Sequence, residues 1–437
     1  MVCKQSRWGM MLSLLALSCR TAPAADESVY GDTLGHDWLG VRSYLLDEGV
    51  DLRIGYISNV ATNIQGGDRE LLRDADQWDF SATLDLQRLA GLSAAQFQIS
   101  ITKRDGRNLS LDAHLGSLQE VEAIYGRGQT WRWTQLWYDQ TYLSGLLDWK
   151  VGRLTVAEDF ATGLCDFENL TFCGPAPGNI NTHYWYNWPI SQWATQLKVT
   201  LTGFGYVKLG AYEFDPNEVQ ISEGLRLGLP RGATGALFPI EVGWLPTLAT
   251  RLDGSYKFGI WYNSSPAADV TENSNHQPLS LSGGAPLMHD GQFGGYVNFL
   301  QRLTGAAATN DARGLRVFLN ATFTDRRTST LDNQIALGLL YTGLFAARPA
   351  DELGAAIGRT HDDNRLGPPQ TLQGLRTFRI NAPATLPGSE YVAELFYGVH
   401  VIDGLVLRPD VQVVHQPGGN PEAANDVIVG LVATVDF

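Results

Sequence analysis

A period of two in hydrophobicity recurs along the 437 residues and constrains the fold more than any other feature. In the segment 77–89, apolar residues occupy the even positions from Trp78 to Leu86, and polar residues occupy the odd positions between them. Alternation over about ten residues is typical of a strand with one apolar and one polar face. The pattern recurs about 16 times, which predicts an all-β fold. The predicted strands are 50–64, 77–89, 95–104, 131–142, 147–155, 191–202, 204–214, 237–244, 251–262, 291–302, 313–325, 332–344, 352–361, 389–400, 405–415 and 426–437.

The connections between these strands alternate between long and short. The long ones are 65–76, 105–130, 156–190, 215–236, 263–290 and 362–388, and clear short ones are 90–94, 143–146 and 401–404. Outer-membrane barrels have this asymmetry, whereas soluble sandwiches do not sort their loops in this way. Because every backbone polar group must be paired in lipid, such a sheet has to close. We therefore predict a transmembrane antiparallel β-barrel of about 16 strands, with its polar faces around a water-filled interior.

The composition and the first residues agree with export to a membrane. Charged residues make up 18% of the chain and the net charge is −14, which argues against nucleic acid as a partner. Residues 1–25 combine Lys4 and Arg7, a short apolar run and the small-residue stretch TAPAA, which together predict a cleaved signal peptide. The run is too short to span a bilayer, and no other stretch approaches about 18 consecutive apolar residues.

Two cysteines, Cys165 and Cys173, remain after the predicted signal peptide. In an oxidising compartment, an even pair in a loop-like stretch rich in Gly, Pro and Asn indicates a disulfide that restrains the loop. Two free thiols are the alternative. A metal site would need further ligands, and His183 is the only neighbouring candidate. We therefore predict no metal and no cofactor.

The two ends of the predicted barrel carry further information. The last stretch, DVIVGLVATVDF, places Val427, Val429 and Leu431 on one apolar face and ends at Phe437. We predict that it pairs with the first strand and closes the barrel, with Phe437 at the periplasmic interface. Residues 26–49 form a predicted periplasmic segment with a short amphipathic helix within 36–48, from which Arg42 faces the lumen.

Several stretches resemble the OprB-like family of carbohydrate-selective porins. They are DWLGVRSYLLDEGVDLRIGY, WKVGRLTVAEDFATGLCDFENLTFCG with both cysteines, ISQWATQLKV, FPIEVGW, and SEYVAELFYGVHVIDGLVLRPDVQVVHQPGG with the final Phe437. The chain departs from the family at Leu39-Gly40, where paired glycines are usual. The resemblance implies a 16-stranded outer-membrane barrel, a pore narrowed by inward-folding loops, and passive uptake of sugars such as glucose. It favours a monomer, with a homotrimer as the alternative.

A sugar-selective pore needs hydrogen-bonding groups for hydroxyls and an aromatic platform for the apolar ring faces. Guanidinium groups donate in a fixed fork, and carboxylates accept. Strand parity and the ends of the third long loop supply candidates, although each charge could equally be a solvated wall residue. We predict a constriction formed by the loop 156–190, with Trp185 as the aromatic residue unless it packs against the wall. The predicted pore residues are Arg42, Arg53, Asp85, Arg104, Arg153, Asp159, Trp185 and Glu394.

Other functions fit the sequence less well. A general porin, or one for organic acids, shares the predicted fold and differs only in selectivity. A barrel enzyme would need a nucleophile beside a histidine, and the sequence contains no G-x-S-x-G or H-E-x-x-H motif. A soluble extracellular β-protein is the remaining alternative. The predicted partners are sugars, outer-membrane lipid with lipopolysaccharide, and the barrel-assembly machinery, since a terminal aromatic residue resembles the signal that this machinery reads.

Overall fold

Antiparallel strands form one continuous sheet that closes on itself. The computed structural model describes residues 30–229, 231–248, 252–305, 313–363 and 388–437, so the predicted signal peptide lies outside the described residues. The strands are β1 (Val50–Gln65), β2 (Leu72–Asp85), β3 (Ala95–Gly106), β4 (Trp131–Tyr142), β5 (Leu147–Leu154), β6 (Gln192–Leu201), β7 (Gly205–Phe214), β8 (Gly235–Trp244), β9 (Thr247–Leu248), β10 (Leu252–Asn263), β11 (Ala267–Asn273), β12 (Pro286–His289), β13 (Gln292–Arg302), β14 (Gly314–Thr324), β15 (Leu331–Thr342), β16 (Glu352–Asp362), β17 (Ser389–Ile402), β18 (Leu405–His415) and β19 (Asp426–Asp436).

The wall contains 16 of these strands, because β9 is a two-residue pairing beside β10, and β11 and β12 form a separate hairpin. Each wall strand pairs with the next wall strand along the chain, and β1 also pairs with β19. That last pairing runs from Gly55 opposite Asp436 to Asn63 opposite Ile428. The predicted closed barrel of about 16 strands is therefore confirmed, and the predicted strand positions agree closely with the structure.

Helices in the described residues are short and lie in the connections. The α-helices are α1 (Val41–Asp47), α2 (Leu86–Ala90), α3 (Leu109–Asp112), α4 (Val156–Asp159), α5 (Ala176–Ile180) and α6 (Leu279–Ser282). The 3-10 helices are Trp38–Gly40, Leu143–Gly145, Pro216–Val219, Ile221–Glu223 and Pro417–Gly419. Within the described ranges, no helix has both the length and the apolar character needed to cross a bilayer.

Long and short connections lie at opposite ends of the barrel. Three of the long loops are L2 (107–130), L3 (155–191) and L4 (215–234). The first loop is shorter than the predicted 65–76, because β2 already begins at Leu72. Asp74 and Asp76 occupy even positions of β2, which are apolar in the rest of the strand. They interrupt the alternation in the sequence, so the predicted strand began too late. We attribute their position to the part of β2 that extends beyond the apolar belt into water.

The interior of the barrel is partly filled by protein rather than by water. Several inward side chains of β14–β19 are apolar, among them Phe318, Phe396 and Ile428, and they are almost completely buried. They pack against Leu109 of L2 and Phe167 of L3 in one hydrophobic cluster. The inward face is therefore polar only where it meets the open channel, and it is apolar where a loop covers it.

The segment before β1 docks against the seam between the first and last strands. Arg42 is buried on α1, and its guanidinium donates hydrogen bonds to the main-chain oxygens of Phe437 at 2.8 Å and Leu52 at 3.1 Å. The rings of Tyr30 and Trp38 lie 3.7 and 4.8 Å from this guanidinium. A side chain from the N-terminal segment thus holds β1 and the end of β19 together.

We predict that Arg42→Ala destabilises the closed barrel. The substitution leaves buried carbonyl groups without a donor, and we expect a loss of about 2–4 kcal/mol in the free energy of unfolding. Urea titration, followed by the heat-modifiable folded band on a gel, measures this loss. Arg53→Ala is the matched control, because Arg53 is 46% exposed, pairs with Asp51 across 3.0 Å and lies 5.0 Å from the ring of Tyr30, and it should cost at most about 1 kcal/mol. Equal losses in the two variants would contradict this role for Arg42.

Candidate functional site

L3 folds into the lumen directly after β5 and follows the inward wall. The main-chain N–H of Ala161 donates to Glu241 at 3.0 Å and to the hydroxyl of Tyr296 at 3.1 Å. The amine of Lys257 donates to the carbonyl of Thr162 at 2.9 Å, so residues on β8, β10 and β13 all contact this part of the loop. L3 is therefore fixed to the wall by side chains that the alternation points inward.

The far part of L3 is fixed to the opposite wall by one carboxylate. Glu394 on β17 accepts hydrogen bonds from the main-chain N–H groups of Glu168 at 2.7 Å and Asn169 at 2.9 Å. A disulfide joins Cys165 to Cys173 and closes the turn that presents these two N–H groups. Main-chain N–H groups of a buried turn need acceptors, and Glu394 supplies one to each of the two, so this contact positions the loop.

A second buried acid lies against this turn. The carboxyl group of Glu168 faces that of Asp410 on β18, and the two groups meet beside Gly430, where any Cβ would collide with both. Burial raises the pKa of Glu168 well above its usual range, and the neighbouring Asp410 raises it further. Both effects favour the protonated form of Glu168, which can donate a hydrogen bond to Asp410.

The open side of the lumen carries a row of polar side chains, which we call the polar strip: Thr83, Gln98, Ser100, Gln135 and Glu158. Each member is hydrogen-bonded to the next: Thr83 to Gln98 at 2.5 Å, Gln98 to Ser100 at 3.1 Å, Ser100 to Gln135 at 2.5 Å, and Gln135 to Glu158 at 2.7 Å. The row starts on β2, crosses β3 and β4, and ends on α4 of L3. The strip therefore connects the wall to the loop at the point where L3 begins.

Charged groups surround the polar strip. Lys150 and Asp159 form an ion pair across 2.7 Å, and Asp159 also accepts from the hydroxyl of Tyr212 at 2.9 Å. On the wall, Asp79 accepts from Thr102 at 2.7 Å, and Glu158 itself is exposed to the channel. The open channel thus presents amines, amides, hydroxyls and carboxylates together, which is a suitable lining for a polar, uncharged solute with many hydroxyl groups.

Known proteins with this architecture include pores for carbohydrates. A family model described as carbohydrate-selective porin, OprB family, matches residues 69–437. The chain belongs to the OprB family of carbohydrate-selective porins. It is 38% identical to Porin B of Pseudomonas aeruginosa over 97% of this chain and 96% of that one. The high-pH structure of Pseudomonas putida OprB is 37% identical and superposes with a TM-score of 0.87, covering 93% of this chain and 98% of that one.

A second structure extends the comparison. The low-pH structure of Pseudomonas putida OprB covers the same shares of both chains, at 28% identity and a TM-score of 0.60. The family and the fold together place this porin in the bacterial outer membrane and indicate a channel for carbohydrates. The predicted family membership, location and sugar-porin function are thereby confirmed.

Four of the predicted pore residues lie on or against L3. Glu394 and Asp159 hold the loop as described above, and Arg153 is buried between the loop and L4, where it pairs with Glu218 across 2.8 Å. Trp185 has no exposed surface and meets the rings of Trp261 and Tyr296 edge-on, at centroid distances of 5.1 and 6.2 Å. Trp185 thus packs against the wall, which was the alternative to a place in the constriction. Its ring contributes to a hydrophobic cluster rather than to the channel surface.

Arg104 lies deeper in the wall of the porin and donates to Gln77 at 2.7 Å, close to Asp79. Arg42, Arg53 and Asp85 are at the end of the barrel with the short turns, away from L3. Arg42 is at the seam instead of facing the lumen, because its guanidinium is surrounded by main-chain oxygens.

Asp85 does not belong to the lumen wall as predicted. Its side chain caps α2 by accepting from the N–H groups of Gln87 at 2.9 Å and Arg88 at 3.2 Å. The strand ends at this residue, and unpaired N–H groups at a helix start attract a carboxylate more strongly than the open lumen does. Asp85 is the last paired residue of β2, opposite Gln96, so strand parity fixes its backbone while the helix that follows takes its side chain.

Sequence reasoning missed Trp137, an inward-facing ring of β4. A β-bulge lies opposite Ser100 and Ile101, so that Ser100 pairs with Gln135 whereas Ile101 pairs with Trp133. The extra residue shifts the parity, and Trp133 therefore points outward while Trp137 points inward, 4.7 Å from the amine of Lys150. Trp133 and Trp137 are four positions apart, so strict alternation would place both rings on one face, and the sequence did not indicate the bulge that separates them.

In the described ranges, no group of three or more potential metal-ligating side chains is present.

We predict that Glu394→Ala loosens L3 without opening the barrel. The variant removes two hydrogen bonds to the main chain, each worth about 0.5–1.5 kcal/mol, from the turn at Glu168 and Asn169. Single-channel recordings should show a larger and noisier open-channel current, while the folded band on a gel persists. Glu352→Gln is the control, because Glu352 accepts hydrogen bonds from the wall residues Arg316 at 2.7 Å and Thr342 at 2.8 Å rather than from the main chain of L3. An unchanged current in Glu394→Ala would contradict the anchoring role.

We also predict that the position of L3 depends on pH through Glu168. Because its pKa is raised in the folded porin, its contribution to stability is complete at low pH and is lost as the pH rises through the folded-state value. Two facing carboxylates then repel each other, so current noise should increase in alkaline solution. Glu168→Gln keeps a donor for Asp410 but cannot ionise. This variant should abolish the alkaline increase, and an identical pH profile in both proteins would refute the assignment.

Proposed function

We propose that this porin admits glucose-like monosaccharides by passive diffusion along the polar strip. The observation that carries the proposal is the unbroken hydrogen-bonded row from Thr83 to Glu158, which follows the lumen wall through the buried Gln98 and Ser100 and reaches the open channel at Glu158, beside an amine and a second carboxylate. A monosaccharide exchanges its water hydrogen bonds for those of the strip in steps, so no single site binds it strongly. Passage through such a series of weak sites requires no energy source.

The chemistry of the strip suits hydroxyl groups better than charges. Gln135 and Ser100 both donate and accept, and Glu158 accepts, so a hydroxyl finds a partner at every step. The neighbouring charges are largely compensated, since Lys150 pairs with Asp159. The proposal includes no catalytic step, and we expect no enzymatic activity.

Transport of organic acids is the second candidate. Lys208 and Lys257 approach the same part of L3 as Lys150, and three amines on one side of a channel would attract anions. Each amine, however, already donates to L3, to its carbonyls or to Asp159. We therefore favour sugars and treat anion permeation as an outcome of the test below.

The proposed partners follow from the position of the protein. The outward apolar side chains contact membrane lipid and lipopolysaccharide. Phe437, which donates its N–H to Ile54 at 2.9 Å and stacks on Trp78 at 5.7 Å, is the residue that the assembly machinery would recognise before closure. The porin acts as a monomer or as a homotrimer.

Liposome swelling tests the selectivity. Vesicles with the purified porin should swell faster in glucose than in a sugar alcohol of similar size or in an organic anion of similar size. Equal rates for all three solutes would show a general porin, and fastest swelling in the anion would favour the second candidate.

Glu158→Gln links the selectivity to the polar strip. The substitution replaces a carboxyl group on the channel surface by an amide of similar size, so half-maximal block of the ion current by glucose should need about tenfold more glucose. Glu223→Gln is the matched control, because Glu223 lies on L4 and pairs with Arg226 at 2.8 Å. If both variants keep the original affinity, the sugar path lies elsewhere in the lumen.

A further inference from the structure

The barrel wall has a gap on the side of the long loops. β5 ends at Leu154 and turns inward as L3, whereas β4 begins at Trp131. The last paired residues between the two strands are Arg153 and Leu136, so the first residues of β4 have no β5 neighbour. In the hydrocarbon region, an unpaired strand edge of this kind would be strongly unfavourable.

A segment of L4 covers this gap. We call residues 216–229 the L4 strap. The main-chain N–H of Trp133 on β4 donates to the carbonyl of Gly224 at 2.8 Å, and the indole of Trp193 on β6 donates to the carbonyl of Gly228 at 3.3 Å. The strap thus bridges β4 and β6 across the end of β5. It takes the place that a longer β5 would occupy.

The inward side of the strap is held by two buried arginines. Arg132 donates to the carbonyls of Glu218 at 2.9 Å and Val219 at 2.8 Å. Arg153 pairs with the side chain of Glu218 at 2.8 and 3.1 Å. These contacts make the strap a fixed part of the wall, unlike a loop that moves freely in water.

The outward side of the strap is aliphatic. The exposed fractions of Ile221, Leu225, Leu227 and Leu229 are 62%, 53%, 40% and 75%. The charges of Glu223 and Arg226 compensate each other in an ion pair across 2.8 Å. Four large apolar side chains exposed together on a fixed segment mark a contact surface.

We infer that the L4 strap is a lipid-contacting surface that takes the acyl chains of the outer leaflet. The strap is continuous with the lipid-facing wall, because Trp131, Trp133 and Trp193 of that wall flank it. Outward tryptophans mark the level of the membrane interface in barrels, so the strap lies at that level and not in the external water. The inference adds a loop to the membrane-contacting part of the porin. Strand patterns alone would assign lipid contact here only to β4 and β6.

Site-specific labelling tests this inference. After removal of the predicted signal peptide with Cys3 and Cys19, and with Cys165 and Cys173 paired, the porin with Leu227→Cys carries one reactive thiol, to which a polarity-sensitive dye can be attached. In phosphatidylcholine vesicles that contain a lipid with a nitroxide on its acyl chain, the dye emission should fall several-fold, and dissolved iodide should have little effect.

Leu111→Cys is the matched control, because Leu111 is 46% exposed but lines a cavity of about 1700 Å³ between the long loops. Its dye should respond to iodide and not to the nitroxide lipid. Two results would overturn the inference: iodide quenching at Leu227 equal to that at Leu111, or thiol cross-linking of Leu227→Cys between two copies with no effect of the nitroxide lipid. Since each variant changes one exposed side chain, the folded band on a gel confirms that the barrel has formed before either reading is made.

Discussion

Backbone N–H and C=O groups have no water to bond with in the hydrocarbon layer, and the rest of this structure follows from that constraint. It requires β1 to pair with β19, so the first and last strands meet although they are farthest apart in the chain. The same constraint accounts for the L4 strap at the end of β5, where the carbonyl of Gly224 accepts a hydrogen bond from the N–H of Trp133. The two places at which the sheet departs from simple strand order are thus both places where a backbone edge would otherwise be open.

The lumen has two chemically different halves. On the side of β14–β19, inward apolar residues such as Phe318 and Phe396 are covered by L2 and L3. On the side of β2–β4, inward polar residues bond to one another, as Gln98 does with Ser100, and the row reaches L3 at Glu158. A loop can stay inside a channel only if it replaces the water that it displaces, and it does so here through a small hydrophobic core together with anchors such as Glu394.

The strands were predictable because successive side chains of each strand point alternately to the lipid and to the lumen. This alternation produces a period of two in hydrophobicity along the sequence. The family was recognisable for a different reason: long stretches such as that around Cys165 resemble known porins directly. The roles of individual side chains were much harder to predict. Parity gives the face of Glu394 and of Arg104 correctly, but it does not show whether a loop lies over them.

The failures have specific physical causes. The bulge before Gln135 reverses the parity of β4 and hides Trp137, and an extra residue of this kind leaves no mark in a pattern of aromatic residues. Asp85 is both the last paired residue of β2 and the N-cap of the following helix, and parity cannot show that the helix takes its side chain. Trp185 depends on contacts with strands about 75 or more residues away in the chain, Trp261 and Tyr296, which no local pattern contains.

The covered half of the lumen has a consequence for how such pores diversify. In the path that we propose, the conducting channel is bounded by β2–β4 and by the first turn of L3, while the strands with apolar inward residues support the loop core. Substitutions near Gln135 and Glu158 can therefore change which solutes pass without disturbing barrel assembly. Substitutions near Phe396 alter the pore only indirectly, by shifting the loop. One scaffold can thus give rise to transporters of different preference through changes in a small, contiguous part of the wall.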